Sequence, residues 1–198
     1  MPPIVPPRLK VGVDVPWVTS WSQEIQGGVG PCPTVDGQPA ALQTWKPGVG
    51  APLYSRNHLR RQRDSVRAML CPMCGEKTEA GDRWSQTGRF VAAGELRARG
   101  FGQALPADLT DDRVLLDAGA IAPLHMACAL ASLQRCPHLG GMADRDLKAF
   151  PPAWIVAPLY VQTKRAVSGQ VVAAVSFLQL IGVTNDRDRV WRDRLPQG

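Results

Sequence analysis

Two thiols stand three positions apart in Cys71-Pro-Met-Cys74-Gly75. A chain that turns tightly there can grip one metal ion with both sulfurs, and the following glycine lets the backbone fold around them. Taken alone, the spacing also fits a redox pair. A second half, His125-Met-Ala-Cys128, favours metal. On a helix, positions i and i+3 share a face, so both side chains leave the first turn in one direction. Cys71, Cys74, His125 and Cys128 then form a Cys3His set, which satisfies tetrahedral zinc with no open position. Cys136 and His138 are alternatives to His125 should the helix end early. With the helix intact, Cys136 lies about two turns beyond Cys128, too far to share the ion. It is then a small buried hydrophobe, while His138 meets carbonyls or solvent.

The enzyme classes that use such residues need partners this chain does not offer. An HNH-type nuclease requires a general-base His and a further His or Asn on a catalytic metal. The chain has three His, of which His125 is spent on zinc, His58 sits among arginines, and none follows an Asp. A zinc deaminase needs His-x-Glu, whereas His58 is followed by Leu59 and Arg60. There is no Walker A, GxGxxG or GxSxG motif. An ion with four protein ligands acts by tying the fold together, not as a Lewis acid. The expectation is a non-enzymatic protein without a small-molecule substrate, a divergent HNH-type nuclease being the remaining enzymatic alternative.

The charge pattern suggests what it binds. Net charge is +6, and residues 54–75 alone hold five Arg against one Asp. If 56–70 (RNHLRRQRDSVRAML) is a helix, capped by Ser55 or Asn57, Arg56, Arg60, Arg63 and Arg67 fall on one stripe beside Leu59, Val66 and Leu70. One cation per turn gives salt-sensitive, mostly sequence-blind affinity for nucleic acid, DNA in particular. The plainer reading is a solvated face, or a face paired with the acidic cluster Asp108, Asp111, Asp112 and Asp117. A reading from a different class is an assembly component whose partner docks on the N-terminal arm while zinc only stabilises the domain.

These groups must be carried by some framework. Residues 1–53 hold ten of the 18 prolines and predict an extended arm; Trp17, Trp21 and Trp45 on it are expected to dock on the protein itself or on a partner. Residues 54–150 predict the zinc-binding core: the arginine helix, short strands at 89–92 and 114–116, and a helix at 124–136. Residues 151–198 predict a β-rich extension, with buried strands at 154–162 and 170–184 as a hairpin and a charged tail at 185–194. The longest apolar run, VVAAVSFLQLIGV, is too short to span a bilayer. Five Cys, an odd number, and an N-terminus without a cationic or apolar leader region point to a cytoplasmic metal protein and away from disulfides.

The pattern LCPMCGEKT…PLHMACALASLQRCPHL resembles a group of uncharacterised small zinc-binding proteins of bacteria and their phages. They share a CxxCG knuckle, an HxxCA motif and a helix closing in Cys-Pro. The resemblance covers residues 70–139 and supports Cys71, Cys74, His125 and Cys128 as ligands. It implies a treble-clef-like arrangement: knuckle, β-hairpin, then a helix that supplies the last two ligands. The 50 residues between the halves imply an insertion. The expected fold is therefore α+β, a treble-clef-like zinc core with a Pro-rich arm before it and a β-rich extension after it.

Overall fold

The run VVAAVSFLQLIGV is apolar at both alternating sets of positions, so a strand made from it needs cover on both faces. The computed structural model describes residues 9–136, 139, 147–164 and 168–183. His138, the tail at 185–194 and the first eight residues of the arm lie outside these. The first strands are β1 (Thr19–Trp21), β2 (Gln26–Pro31), β3 (Pro39–Gln43) and β4 (Pro52–Asn57), followed by helix α1 (Leu59–Ala68). Next come β5 (Trp84–Ser85), β6 (Arg89–Ala92), the single turn α2 (Ala93–Leu96) and β7 (Val114–Gly119). Helix α3 (Met126–Arg135), β8 (Lys148–Ala149), β9 (Ala153–Lys164) and β10 (Val171–Val183) complete the described chain.

β10 is the hub of a mixed sheet. It pairs antiparallel with β9 from Val171↔Lys164 to Val183↔Ala153, the hairpin expected from the sequence. It also takes β3 in parallel at Val175↔Ala40 and β7 antiparallel at Leu180↔Gly119. β2 pairs with β3 and β6 with β7, giving six strands. Alternation along β7 and β10 sends Leu116 and Leu180 into one cluster, with Val66 and Met69 from α1 and the segment after it. The neighbouring residues Leu115 and Ile181 enter a second cluster, with Leu96 of α2. The sheet is thus covered on both faces.

Two expectations are corrected here. The helix begins at Leu59, not 56, because β4 pairs with β1 (Thr19↔Asn57, Trp21↔Pro52) and draws Arg56 into a strand. The cap is neither Ser55 nor Asn57 but His58, whose Nδ1 accepts from the Arg61 amide. The stretch read as an arm is woven into the body: β2 and β3 lie in the β10 sheet, and Trp21 is 2% exposed. Segments 1–53, 54–150 and 151–198 therefore each contribute strands to one sheet and do not separate. Among the described residues no helix is long and apolar enough to cross a membrane.

Candidate metal centre

The knuckle is shaped by its own backbone. Gly75 donates its amide to the Cys71 carbonyl and the Cys71 amide bonds to the Glu76 carbonyl. Gly75 holds φ +85, and a Cβ there would sit 2.8 Å from the Trp17 ring, so glycine is required twice over. The N-terminal segment clamps the knuckle from outside, Trp17 and Val18 donating their amides to the Met73 and Pro72 carbonyls.

The other half comes from α3. Its N-cap is His125, which makes no side-chain capping bond. Asp82 supplies what is missing: its Oδ1 accepts from the Met126 amide at 2.7 Å and places a carboxylate at the positive end of the helix. Trp84 and Leu124 exchange amide–carbonyl bonds at 2.9 Å, fastening the chain after the knuckle to the chain before α3. This bridge closes the 50-residue gap in sequence. Most of the intervening residues leave the site, and β6 and β7 among them join the main sheet.

The ligand atoms of Cys71, Cys74, His125 and Cys128 lie within 4.8 Å of one another, the one such group among the described residues. His125 Nδ1 is 3.5 Å from Cys74 Sγ and 3.9 Å from Cys128 Sγ. Metal–sulfur and metal–nitrogen bonds of ordinary zinc length, set tetrahedrally, require ligand–ligand edges of roughly 3.6–3.8 Å, so these separations fit a bound ion. His125 Nε2 faces the Lys77 carbonyl at 3.1 Å. Donation there leaves Nδ1 unprotonated and aimed at the sulfurs, the outer-shell bond that ligating histidines ordinarily make. Burial and the adjacent Cys71 and Cys74 sulfurs push the Cys128 thiol up to about 12, and burial also raises Cys74. Three sulfurs this close do not ionise together without a cation among them; a divalent ion reverses that balance.

Cys136 stands at the far end of α3, outside the group, and Cys32 is buried elsewhere with its sulfur 2.9 Å from the Thr34 hydroxyl. His58 is fully buried, its Nε2 3.1 Å from the Thr44 carbonyl, so its ring is not offered to a substrate. Asp82, Lys77 and Trp17 carry no recognisable signal in the sequence, because each acts on a residue 44 to 58 positions away or through its backbone.

The four arginines do not form one stripe. Arg56 is exposed on β4. Arg60 is exposed on α1, 3.5 Å from Asp64, with its guanidinium 5.4 Å from the centre of the half-exposed Trp45 ring. Arg67 donates to both carboxylate oxygens of Asp36 at 2.9 Å. Arg63 is 1% exposed and donates to the Val175, Ser176 and Ala41 carbonyls, so it is a core residue rather than a surface cation. Sequence reading passed over Arg61, which is also buried and holds Glu24 through two bonds of 2.7 Å. No family model matches the chain, and no curated protein or solved structure matches it.

Proposed function

We propose that this is a non-enzymatic binding protein, tied together by one zinc ion and directed at nucleic acid. The zinc reading is supported by the donor set: three sulfurs and one oriented imidazole within 4.8 Å of one another, enough to fill a tetrahedral shell without water. In this reading the knuckle and the start of α3 are the two halves of a treble-clef-like unit, and the β6–β7 segment is the insertion between them. The ion contributes folding free energy, on the order of 10 kcal/mol in small zinc modules. Native mass spectrometry is expected to find one zinc per chain. Cys71→Ser or Cys128→Ser should lose it and unfold the knuckle and α3, while Cys32→Ser keeps it. A zinc-free chain with the same melting behaviour would overturn the reading.

For nucleic acid, the reading uses the cations still facing solvent, Arg56 and Arg60, with Trp45 beside Arg60 as a surface for base stacking. Arg63 is left out of it because it is buried, and Arg67 because it holds both carboxylate oxygens of Asp36 in an exposed pair. Binding to random duplex and single-stranded DNA across a salt series is the test. Affinity that falls with salt and is lost in Arg56→Glu plus Arg60→Glu supports it; no binding at low salt removes it.

One observation favours a second reading, an assembly component. Among the described residues, the end of the β9–β10 hairpin from Val171 up to the Val175 pairing with β3 takes no third strand, and Val161 and Val171 on it are 40% and 58% exposed. A stable oligomer on sizing, together with no DNA binding, would select this reading.

A further inference from the structure

A second site lies beside the metal centre. The knuckle residues Pro72 and Met73, Ile121, Ala122 and Leu124 before α3, and Tyr54 and Asn57 of β4 line a half-open cavity of about 310 Å³. We propose that this cavity binds a small, uncharged, largely apolar molecule carrying one hydrogen-bonding group. Pockets that take small ligands begin at about this size, and a cavity of roughly half the volume already holds benzene.

Charge complementarity sets the class of occupant. A fifth of the chain is charged, yet among the described residues no Asp, Glu, Lys, Arg or His lines the cavity. An ion placed there would lose its hydration with no opposite charge to replace it. The neutral polar groups of the inner wall are already engaged. Gln62 donates to the Ala120 and Leu178 carbonyls and accepts from the Leu178 amide. The Ser65 and Ser132 hydroxyls donate to the Leu70 and Ala129 carbonyls, and Gln86 donates to Ala129 and Ser132. These groups are spent on the fold. Among the described residues, the Thr19 hydroxyl, the Asn57 carboxamide and the largely exposed Tyr54 hydroxyl make no side-chain hydrogen bond, so they are what the site offers a ligand. Cys136 also reaches the cavity, but no acid or base among the described residues lines it, so the inference is of binding and not of turnover.

Indole is a suitable probe: flat, neutral, apolar, with one N–H that the Asn57 carbonyl can accept. Titrated into the 15N-labelled chain as purified with its metal, it should give saturable amide shifts at Met73, Ile121 and Cys136. Indole-3-carboxylate, its charged counterpart, should give none. Ile121→Trp, at a position already 36% exposed, fills the cavity and should abolish the indole shifts while spectral dispersion and metal content stay unchanged. Ala120→Leu serves the same purpose should that variant fail to fold. Asn57→Ala should weaken indole about fivefold, the loss of one hydrogen bond. No shift at millimolar indole, shifts that survive in the filled variants, or equal binding of the carboxylate would overturn the proposal. Each of these outcomes is independent of whether the chain binds nucleic acid.

Discussion

Glu24 is enclosed, and each of its carboxylate oxygens has more than one partner: Arg61 on both, the Trp21 amide on one and the Lys46 amide on the other. Burial alone would raise its carboxyl, but the bonds from Arg61 and Trp21 outweigh this and hold it below the usual carboxylate range. Removing one partner of such a buried pair strands the other, so Glu24→Ala should cost about 3–5 kcal/mol in urea unfolding. The neighbouring His58 is pushed down to about 4 by burial and by the Arg61 charge. Its ring must stay neutral, because Nδ1 accepts from the Arg61 amide while Nε2 faces the Thr44 carbonyl. Between pH 6.5 and about 4 the unfolded chain therefore holds a proton that the folded chain does not, and stability falls as pH drops through that window. Glu24, with its lowered carboxyl, adds a loss of the same sign below its unfolded value. Urea midpoints at pH 7 and pH 4.5 should differ less in His58→Gln than in the parent chain; equal differences would show that His58 is not the group responsible. None of this was legible in the sequence, where His58 is only a histidine among arginines and Glu24 stands 37 positions from Arg61.

The interior role of Arg63 comes from an irregularity in the sheet. The β9–β10 register shifts between Val175 and Phe177, and the Ser176 carbonyl at that bulge accepts from Arg63 at 2.7 Å. Arg63→Met keeps an unbranched apolar stem but removes the guanidinium and leaves buried carbonyls unpartnered, and should destabilise the fold by about 2–3 kcal/mol. Arg60→Glu disturbs a surface i,i+4 pair and a contact with the Trp45 ring, and should change stability by no more than about 1 kcal/mol. Thermal melts of the two variants separate core arginine from surface arginine. At the knuckle, Gly75→Ala must take up φ +85 against the Trp17 ring, and metal titration should show a marked loss of affinity. The hairpin, the strand at 89–92, the one expected at 114–116 (it runs on to Gly119) and the two longer helices were legible because their apolar periodicity is local. Which arginine faces which way was not. Periodicity says which residues share a stripe, but the carbonyls that drew Arg63 inward lie 22, 112 and 113 positions away along the chain.

Three apolar clusters divide the molecule. Two flank the β10 sheet, and the third, built on Cys71, Leu124 and Ala129 with Trp84 and Met73, surrounds the candidate metal centre. Because this cluster is separate, chelation should release it first. Hydrogen exchange after EDTA treatment is expected to find the Ala129 and Ser132 amides unprotected while Leu115, Leu180 and Ile181 stay protected. Simultaneous loss throughout would mean that the ion holds the whole fold. The chain by itself pointed to the four residues that come together as a candidate metal group and to the α+β character, since metal-binding residue types are rare and their spacing within each half is a local property. Only the tertiary structure decided that the supposed arm belongs to the central sheet, that a Trp84–Leu124 bridge spans the interval between the halves, and that two arginines are interior. Those outcomes depend on where unpaired carbonyls, carboxylates and strand edges come to lie, which is settled by segments far apart in sequence meeting in space.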